Sequence, residues 1–368
     1  MTRAPAETTG LGAPLPPGSR IGILGGGQLG RMLAVAAHRL GLRTGIYSDV
    51  LDAPAVQVTD RQWIGAYDDA RQLRAFAAAC DAVTFEFENI PAATIEAVSE
   101  LAPVRPGARA IERTQDRLAE RKLLDELQIP VAPYRNVDSE ADLTASAGAL
   151  GVPLILKTRR FGYDGKGQAR IIDHAAVPAA YSAIARQPAI VEQKIPFLRE
   201  VSQIVLRGLD GALAFYPLCE NTHRDGILHR TVAPATADDE LSAAARDAAG
   251  AVADALEFVG TLTVEFFVVE GSGSARLIAN EIAPRVHNSG HWTLEGAATD
   301  QFENHIRAVA GWPLGACEAR GSWEMRNLIG EDANDWHTLS AQAGAHLHLY
   351  GKADARPGRK MGHVTRAL

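Results

Sequence analysis

Two acidic residues lie within otherwise apolar segments, where a carboxylate is costly to bury unless it meets a cation. Glu265 stands in TVEFFVV and Glu281 in LIANEIAP, with Asn280 beside it. The segments 261–269 and 275–279 predict a hairpin, which would bring the two carboxylates together. Mg²⁺ (or Mn²⁺) binds a few carboxylates together with phosphate oxygens, so the pair predicts a metal site. The alternative for either residue alone is an outward-facing position at a sheet edge.

A lysine and a glycine-rich segment follow one another in the middle of the chain. Lys157 ends the apolar strand predicted over 153–157, and RRFGYDGKGQ (159–168) has three glycines in ten positions. Glycine loses too much conformational freedom for such a segment to be a core element. Its N–H groups, together with Lys166, predict a mobile loop that folds over a triphosphate. The alternative is a flexible surface hairpin.

Two polar clusters have the chemistry of anion sites. The segment IAPRVHNSGHWT (282–293) supplies Arg285, His287, Asn288, Ser289 and His291. These donors suit a small anion such as bicarbonate or phosphate. The second cluster, RPGRK (356–360), is either a solvated basic tail or, because the apolar-looking MGHV follows it, an anchored phosphate clamp.

A glycine motif near the start of the chain matches the dinucleotide fingerprint. Gly25-x-Gly27-x-x-Gly30 follows a predicted strand and opens a helix, and Asp49 lies 19 residues beyond Gly30. Backbone amides at a helix N-terminus bind phosphate well. The motif alone is a weak signal. It is compatible with a nicotinamide or flavin site, with another phosphate-bearing ligand, or with a tight turn that binds nothing.

The elements that must position these residues belong to a chain of 368 residues and 39.2 kDa, enough for two to three domains. The net charge of −7 argues against a basic nucleic-acid binder. No apolar run reaches the length of a membrane span. The three cysteines are too widely spaced for a metal motif or a disulfide framework, so we expect a cytoplasmic protein. Residues 1–20 predict a disordered leader.

The order of the predicted elements indicates the fold class. Strands alternate with helices over 21–112, which predicts an α/β domain with a Rossmann-like parallel sheet. Strands of the middle region, 113–312, are antiparallel in character and are accompanied by a helix at about 235–258, which is typical of an α+β domain. A last segment, 313–368, carries short strands and a basic tail, and predicts a small, mostly β domain.

The motifs together resemble the ATP-grasp superfamily and, within it, the N5-carboxyaminoimidazole ribonucleotide synthases of purine biosynthesis. The matching stretches, in order from residue 21 to residue 363, are GILGGGQLGRML, FEFENI, QDRLAERKLL, GYDGKGQ, VEQKIPFLREVS, FYPLCENTHRDGIL, NEIAPRVHNSGHWT, NLIG and RPGRKMGH. The combination of GYDGKGQ with APRVHNSGHWT is specific. The resemblance implies that 113–312 is an ATP-grasp domain between a pre-ATP-grasp domain and the small C-terminal domain. Lys166 stands where arginine is also common in the family.

The resemblance also implies roles for individual residues. Glu265 and Glu281 would hold Mg²⁺, and the ATP-binding residues would be Arg117, Lys157, Gly162, Tyr163, Asp164, Gly165, Lys166, Gly167, Gln168, Glu192, Gln193, Lys194, Ile195, Glu200, His223, Asn280 and Glu281. The residues for the second substrate would be Gly26, Gly27, Gln28, Glu88, His287, Asn288, Ser289, Arg359 and Lys360. Arg285, Asp164 and Lys166 would act in catalysis, with Arg285 facing bicarbonate and Asp164 positioning or deprotonating the amine.

The family reaction converts 5-aminoimidazole ribonucleotide, bicarbonate and ATP to the N5-carboxylated ribonucleotide, ADP and phosphate through carboxyphosphate. The resemblance therefore implies an ATP-dependent ligase with small-molecule substrates, and a homodimer. Alternatives are a biotin carboxylase-like or glycinamide ribonucleotide transformylase-like ligase, a dinucleotide-dependent oxidoreductase and a non-catalytic nucleotide-binding regulator. The intact set of Lys157, Glu265 and Glu281 argues against the regulator.

Overall fold

The computed structural model describes residues 13–162, 165–271 and 273–368. Its strands form three sheets, one parallel and two antiparallel. The parallel sheet belongs to the N-terminal domain, and the two antiparallel sheets face each other across the central cleft. Tyr163 and Asp164, which we expected in the ATP-binding loop, lie outside the described residues.

The N-terminal domain is a four-stranded parallel sheet with the order β3-β2-β1-β4. Its elements are β1 (Arg20–Leu24), α1 (Gln28–Arg39), β2 (Arg43–Ser48), β3 (Arg61–Ile64), α2 (Ala70–Ala77), β4 (Ala82–Phe85), α3 (Ala92–Ser99) and α4 (Ala108–Thr114). All four residues of β4 are buried, as expected for a parallel strand covered on both faces. The predicted Rossmann-like sheet is confirmed.

Residues 13–19 correct the expectation of a disordered leader. Leu15 N–H donates to Ala310 O at 2.9 Å, and Trp312 Nε1 donates to Leu15 O at 2.8 Å. Leu15 also packs against the apolar core between the N-terminal and middle regions. This part of the predicted leader therefore lies across the end of the helix that finishes at Ala310, and the expectation was wrong for it. Residues 1–12 lie outside the described ranges.

The first half of the middle region forms a small antiparallel sheet with the order β5-β8-β6-β7. Its elements are α5 (Arg117–Glu126), β5 (Tyr134–Val137), α6 (Glu140–Leu150), β6 (Leu154–Thr158), β7 (Gln168–Ile171), α7 (Val177–Ala183) and β8 (Ala189–Gln193). Asp116 caps α5 by accepting the N–H of Leu118 and also pairs with Arg159 at 2.7 Å. The start of α5 is thereby fixed next to the glycine-rich segment.

The rest of the chain forms one nine-stranded sheet, in which β14-β13-β9-β11-β12-β15-β17-β16 lie side by side and β10 pairs with β9. Its elements are β9 (Arg199–Arg207), β10 (Leu213–Phe215), β11 (Cys219–Arg224), β12 (Ile227–Ala233), α8 (Asp239–Ala255), β13 (Gly260–Val269), β14 (Arg276–Ala283), α9 (Thr293–Gly296), α10 (Gln301–Ala310), β15 (Trp323–Ile329), α11 (Trp336–Ser340), β16 (Ala345–Leu349) and β17 (Lys360–Ala367).

The C-terminal segment therefore extends the large sheet. Strand β17 pairs with both β15 and β16, so of the two alternatives for RPGRK (356–360) the structure favours an anchored segment over a solvated tail, while its contact with a phosphate stays a prediction. Lys360 begins this strand and is carried to the cleft by it. In the described ranges, no helix has the length and apolar character needed to cross a membrane.

Candidate active site

A cavity of about 370 Å³ lies between the small sheet and the large sheet. Strands β6 and β8 supply one wall, and strands β9, β11, β13, β14 and β17 supply the other. Both walls carry charged side chains on otherwise apolar strands. The cavity therefore has the size and polarity of a small-molecule site.

The two predicted carboxylates face each other across neighbouring strands. Glu265 on β13 and Glu281 on β14 are directly opposed in the antiparallel register. Burial, together with the charge of Glu281, raises the pKa of Glu265 to about 7. Arg117 donates to Glu281 Oε2 at 3.2 Å, and His287 Nε2 lies 3.2 Å from Glu265 Oε1. The predicted hairpin is confirmed, and it concentrates negative charge at one point of the cleft.

This pair suits a cation whose remaining ligands come from a bound molecule. Within the part of the chain that the structure describes, no group of three or more His, Cys, Asp or Glu side chains makes a closed metal site. Mg²⁺ takes one or two carboxylates and completes its coordination with phosphate oxygens and water. A pair of opposed, partly buried carboxylates fits that requirement, whereas Zn²⁺ would require more protein ligands.

A second carboxylate, Glu192 on β8, is fully neutralised by the chain itself. Its Oε1 accepts from Arg121 Nε at 2.6 Å, and its Oε2 lies 2.6 Å from Lys157 Nζ. Burial alone would raise the pKa of Glu192, but Lys157 and Arg121 lower it to about 2. We expected this side chain to face a nucleotide, and the structure instead directs both of its oxygens at cations of the cleft wall.

Arg121 joins this network to the hairpin of β13 and β14. Its Nη1 donates to Glu120 at 2.8 Å and its Nη2 donates to the Asn280 carbonyl oxygen at 2.6 Å. Glu120 in turn accepts the N–H of Ile282 at 2.6 Å, while burial raises its pKa to about 7. Helix α5 is thus tied to β14 on both sides of Glu281. The side chain of Arg121 is 1% exposed, which makes it part of the framework of the site.

Arg285 forms a two-point ion pair with Glu88 at the other end of the cavity. Its Nε and Nη2 donate to the two carboxylate oxygens of Glu88, the second at 3.1 Å. Burial opposes ionisation of Glu88, but Arg285 lowers its pKa overall. We expected the guanidinium of Arg285 to face bicarbonate as a fork. In this structure the fork is directed at Glu88, and Nη1 donates to the Val286 carbonyl oxygen at 3.3 Å.

Two histidines border the cavity in different environments. His223 Nδ1 lies 2.7 Å from Glu200 Oε2. Burial lowers the pKa of His223, but that hydrogen bond and the charges of Glu265 and Glu200 outweigh it and raise the pKa overall. His287 is buried among cationic neighbours, Arg285 first among them, and its pKa lies well below the usual range. His287 is therefore neutral near pH 7.

The glycine fingerprint is occupied by a carboxylate of the same chain. Glu86, two residues before Glu88, accepts the N–H of Gly27 with one oxygen and that of Gly30 at 2.6 Å with the other. A Cβ added at Gly27 would lie 2.6 Å from Glu86 Oε1, so glycine is required by this close approach. A phosphate at this helix N-terminus would meet both donors already engaged and a negative charge in their place. The Gly27 N–H is therefore not available to a phosphate in this structure, and contact of the substrate with Gly26 and Gln28 stays a prediction.

Most of the predicted site residues lie together on the cavity wall. They are Glu88, Arg117, Lys157, Gly165, Lys166, Gln168, Glu192, Gln193, Lys194, Ile195, Glu200, His223, Glu265, Asn280, Glu281, Arg285, His287, Asn288 and Lys360. Gly26, Gly27, Gln28, Gly162, Gly167, Ser289 and Arg359 are not part of this wall. Gly162 borders a smaller cavity next to it, and the Arg359 guanidinium donates to the Asp354 carbonyl oxygen at 3.0 Å.

The sequence reasoning missed several wall residues. They are Arg121, Ala132, Ile155, Arg170, Phe197, Gly226, Leu228, Phe267 and Ala279. Phe197 and Phe267 stack with their ring centroids 4.7 Å apart and their planes 12° apart. Phe267 was visible as the alternating partner of Glu265 on the same strand, two residues on. Nothing in the sequence separates Arg121 from the solvated charges around it on α5.

Three protein-family profiles match successive parts of the chain. The ribonucleotide synthetase preATP-grasp domain matches residues 19–115, the ATP-grasp domain matches residues 122–302, and the phosphoribosylaminoimidazole carboxylase C-terminal domain matches residues 324–367. The first match covers the parallel sheet, the second covers the small sheet and strands β9–β14 of the large sheet, and the third covers β15–β17 of the same large sheet.

Similar proteins cover nearly the whole chain. An N5-carboxyaminoimidazole ribonucleotide synthase of Brucella melitensis is 49% identical over 96% of this chain and 97% of its own length. A crystal structure of an ADP complex of N5-carboxyaminoimidazole ribonucleotide synthetase is 38% identical, with a TM-score of 0.92 over 96% of this chain and 94% of the other. The Aspergillus clavatus enzyme in complex with ADP and 5-aminoimidazole ribonucleotide is 32% identical, with a TM-score of 0.88 and coverage of 96% and 94%.

Proposed function

The chain belongs to the N5-carboxyaminoimidazole ribonucleotide synthases, ATP-dependent ligases of the ATP-grasp superfamily that carboxylate 5-aminoimidazole ribonucleotide in purine biosynthesis, and we propose that its central cavity holds ATP, a divalent cation and bicarbonate side by side. The opposed pair Glu265 and Glu281 is the observation that carries this proposal. These carboxylates are held in a site whose other charged walls are already paired. Arg117 pairs with Glu281, but the two opposed carboxylates still repel each other, and a bound cation would relieve that repulsion.

Glu265 and Glu281 would hold Mg²⁺ or Mn²⁺ from one side, with Asn280 next to them. The cation supplies charge neutralisation for a transferring phosphoryl group, which passes through a transition state that needs positive charge rather than covalent help. Lys157 and Arg117 supply the chain's own positive charge at the same place. Lys157 Nζ lies 3.4 Å from Asn280 Oδ1 and so already reaches the hairpin.

The nucleotide base would lie toward the connector after β8. Gln193, Lys194 and Ile195 offer main-chain and side-chain contacts there, and the stacked rings of Phe197 and Phe267 give an apolar surface beside them. Glu200 on β9 is placed for a ribose hydroxyl, because it borders the same cavity. This division puts the base at one end of the cavity and the phosphates between the two sheets.

The carboxylation would take place at the opposite end. Bicarbonate is a poor electrophile, and phosphorylation to carboxyphosphate activates it. Arg285 would contact the carboxylate oxygens with the donors that its pairing with Glu88 leaves available, and Lys360 would neutralise the phosphate of 5-aminoimidazole ribonucleotide. Carboxyphosphate hydrolyses readily, so the enclosure of the cavity by two sheets serves the chemistry by limiting access of water.

The glycine loop no longer favours an oxidoreductase. Glu86 occupies the donors that a dinucleotide pyrophosphate would require. Ligases of the same superfamily with other acceptors differ in the substrate that accepts the carboxyl or formyl group. Assays with different acceptor substrates therefore distinguish these ligases.

We also propose a homodimer in the cytoplasm. Apolar side chains are exposed on the N-terminal domain at Val35, Val50, Leu51 and Leu101, and burying them would favour self-association. The three cysteines are free thiols, which agrees with a reducing compartment. Light scattering after size-exclusion chromatography tests the dimer, with a monomer mass as the contradicting result.

Phosphate release from ATP is the experiment that tests the proposed chemistry. We expect release with bicarbonate to rise strongly when 5-aminoimidazole ribonucleotide is added, with one carboxylated product formed for each phosphate. Glycinamide ribonucleotide with formate, and biotin with bicarbonate, serve as acceptor controls in parallel reactions. Stimulation by either control, with none by aminoimidazole ribonucleotide, would contradict the assignment.

A further inference from the structure

The main chain of His287 is held by a side chain that nothing in the sequence analysis singled out. Gln301, the first residue of α10, accepts the His287 N–H at 3.0 Å and donates to the His287 carbonyl oxygen at 2.7 Å. Gln301 is completely buried. Because both main-chain groups of His287 are fixed in this way, the orientation of its ring depends on what the ring itself contacts.

A chain of buried hydroxyl and amide groups leads to the inner edge of that ring. His287 Nδ1 lies 2.8 Å from Ser289 Oγ, which lies 2.7 Å from Ser202 Oγ on β9. Asn221 on β11 donates to Ser202 Oγ at 3.0 Å, and Thr231 on β12 donates to Asn221 Oδ1 at 2.9 Å. All four of these partner residues are at most 5% exposed. The hydrogen-bond chain thus crosses three neighbouring strands before it reaches the cleft.

The direction of donation along this series of hydrogen bonds follows from the groups that can only donate. An amide NH₂ and a backbone N–H have no acceptor capacity. The backbone N–H of Ser289 donates to His287 Nδ1 at 3.3 Å, so Nδ1 is an acceptor that carries no proton, and the ring proton is on Nε2. Every hydroxyl then points the same way, from Thr231 toward His287. The Nε2–H faces Glu265 Oε1, 3.2 Å away.

We propose that Ser289, Ser202 and Asn221 are positioning residues that fix His287 as the Nε2–H tautomer, with that N–H directed at Glu265 and the cleft. A fully satisfied buried network specifies one arrangement because every alternative leaves a buried polar group unpaired. The network gives Glu265 a donor of fixed position. Its importance for activity rests on the proposed role of Glu265, whereas the tautomer itself does not depend on that role.

Residues behind a metal ligand commonly change affinity or activity by about 10–100-fold when they are removed. We therefore expect Ser289→Ala to lower kcat for phosphate release about tenfold while the KM for ATP stays within about twofold. Ser202→Ala acts one step further away and should have a smaller effect of the same kind. Thr231→Val, at the far end, is nearly isosteric, and it should have the smallest effect.

The tautomer is read from ¹⁵N spectra of the histidine rings, recorded on the protein without ligands. His287 is assigned by the signals missing from His287→Gln. The wild type should show the ring proton on Nε2 alone, and Ser289→Ala and Ser202→Ala should show a second tautomer or averaged signals. Thr263→Val is the matched control, because Thr263 Oγ1 is buried on the neighbouring strand β13 and makes no hydrogen bond among the described residues. It should match the wild type in spectrum and rate.

The outcomes separate this proposal from the assignment of the cleft. An unchanged tautomer in both serine variants, or in Asn221→Leu if the serine variants do not fold, overturns the proposal. A changed tautomer with an unchanged kcat overturns the positioning role. A changed tautomer in a protein whose wild type does not turn over ATP supports the tautomer assignment and contradicts the function of the cleft.

Discussion

Two groups of carboxylates lie on opposite walls of the cleft, and they differ in burial and in how their charge is balanced. Glu192 gives one oxygen to Arg121 and the other to Lys157, and these cations lower its pKa to about 2. Glu265 faces another carboxylate and contacts a histidine, and burial with the charge of Glu281 raises its pKa to about 7. The first group is complete within the chain, whereas the second gains from a cation.

The difference separates residues that hold the cleft together from residues that hold its ligands. Removing one partner of a complete buried ion pair leaves an isolated charge, which is strongly destabilising. Removing a carboxylate that the fold leaves under-compensated relieves repulsion and desolvation instead. Substitution of Glu192 should therefore lower stability most, whereas substitution of Glu265 or Glu281 should lower activity most.

The largest effect on activity is expected at the opposed carboxylates Glu265 and Glu281, which we call the open pair. Glu281→Gln should keep the fold and lower phosphate release on the order of a hundredfold or more, because the cation that neutralises the transferring phosphoryl group loses an anionic ligand. Steady-state phosphate release at saturating ATP measures this. Glu220→Gln, a partly exposed carboxylate paired with Arg199, is the control and should keep most of the activity. Near-normal turnover of folded Glu281→Gln would remove the basis of the comparison.

The largest effect on stability is expected at the closed pair, by which we mean Glu192 with its two cations, Lys157 and Arg121. Glu192→Gln leaves Lys157 and Arg121 facing a neutral amide, and should lower the free energy of unfolding by about 3–5 kcal/mol. Glu265→Gln should be neutral or stabilising at pH 8 in the absence of metal. Urea unfolding of both variants, followed by circular dichroism, compares them directly. Equal destabilisation at the two sites would mean that the walls do not differ as described.

Acid should affect the closed pair within a defined pH window. The pKa of Glu192 is lowered on folding, so its stabilising contribution is fully present above the unfolded value of about 4.3 and is lost as the pH falls toward about 2. Unfolding free energies measured between pH 5 and pH 2.5 should fall less steeply in Glu192→Gln than in the wild type. Parallel curves would show that Glu192 contributes nothing to acid sensitivity.

The smallest effect is expected at the basic turn, where two adjacent cations differ in placement. Lys360 borders the cavity, whereas Arg359 does not and donates to the Asp354 carbonyl oxygen. Lys360→Ala should raise the KM for 5-aminoimidazole ribonucleotide about tenfold and change the KM for ATP much less, since one charge-assisted hydrogen bond is lost. Arg359→Ala should change either KM by less than about twofold. Equal effects of Lys360→Ala on both substrates would place this residue at the nucleotide.

The local alternation of apolar and polar residues was enough to predict that Glu265 and Glu281 lie close together. Alternation along 261–269 put Glu265 on a strand, and a short glycine turn brought the next strand back with Glu281 opposite. The closed pair needed information that no local pattern holds. Arg121 lies in a helix rich in charged residues, and its partner Glu192 is 71 positions away. Only the packing of α5 against two sheets shows that this arginine is buried.

At the glycine fingerprint and at the basic turn the sequence left alternatives open for the same reason. Spacing identified a loop able to bind an anion, and the anion proved to be the side chain of Glu86, which arrives from a strand 59 residues from Gly27. A solvated tail and an anchored clamp both remained possible for RPGRK, because the strands that pair with β17, which are β15 and β16, lie elsewhere in the sequence. Contacts between residues far apart in the sequence decide both cases. The periodicity of a short sequence segment carries no information about such contacts.

Cation binding tests the difference between the two walls most directly. Mn²⁺ is titrated against the enzyme with a non-hydrolysable ATP analogue, and bound metal is measured by electron paramagnetic resonance. The wild type should bind one Mn²⁺ in the ternary complex, Glu265→Gln should bind it at least about tenfold more weakly, and Glu220→Gln should match the wild type. If Glu265→Gln binds Mn²⁺ as tightly as the wild type, the opposed carboxylates are not the cation site, and the account of the cleft is wrong.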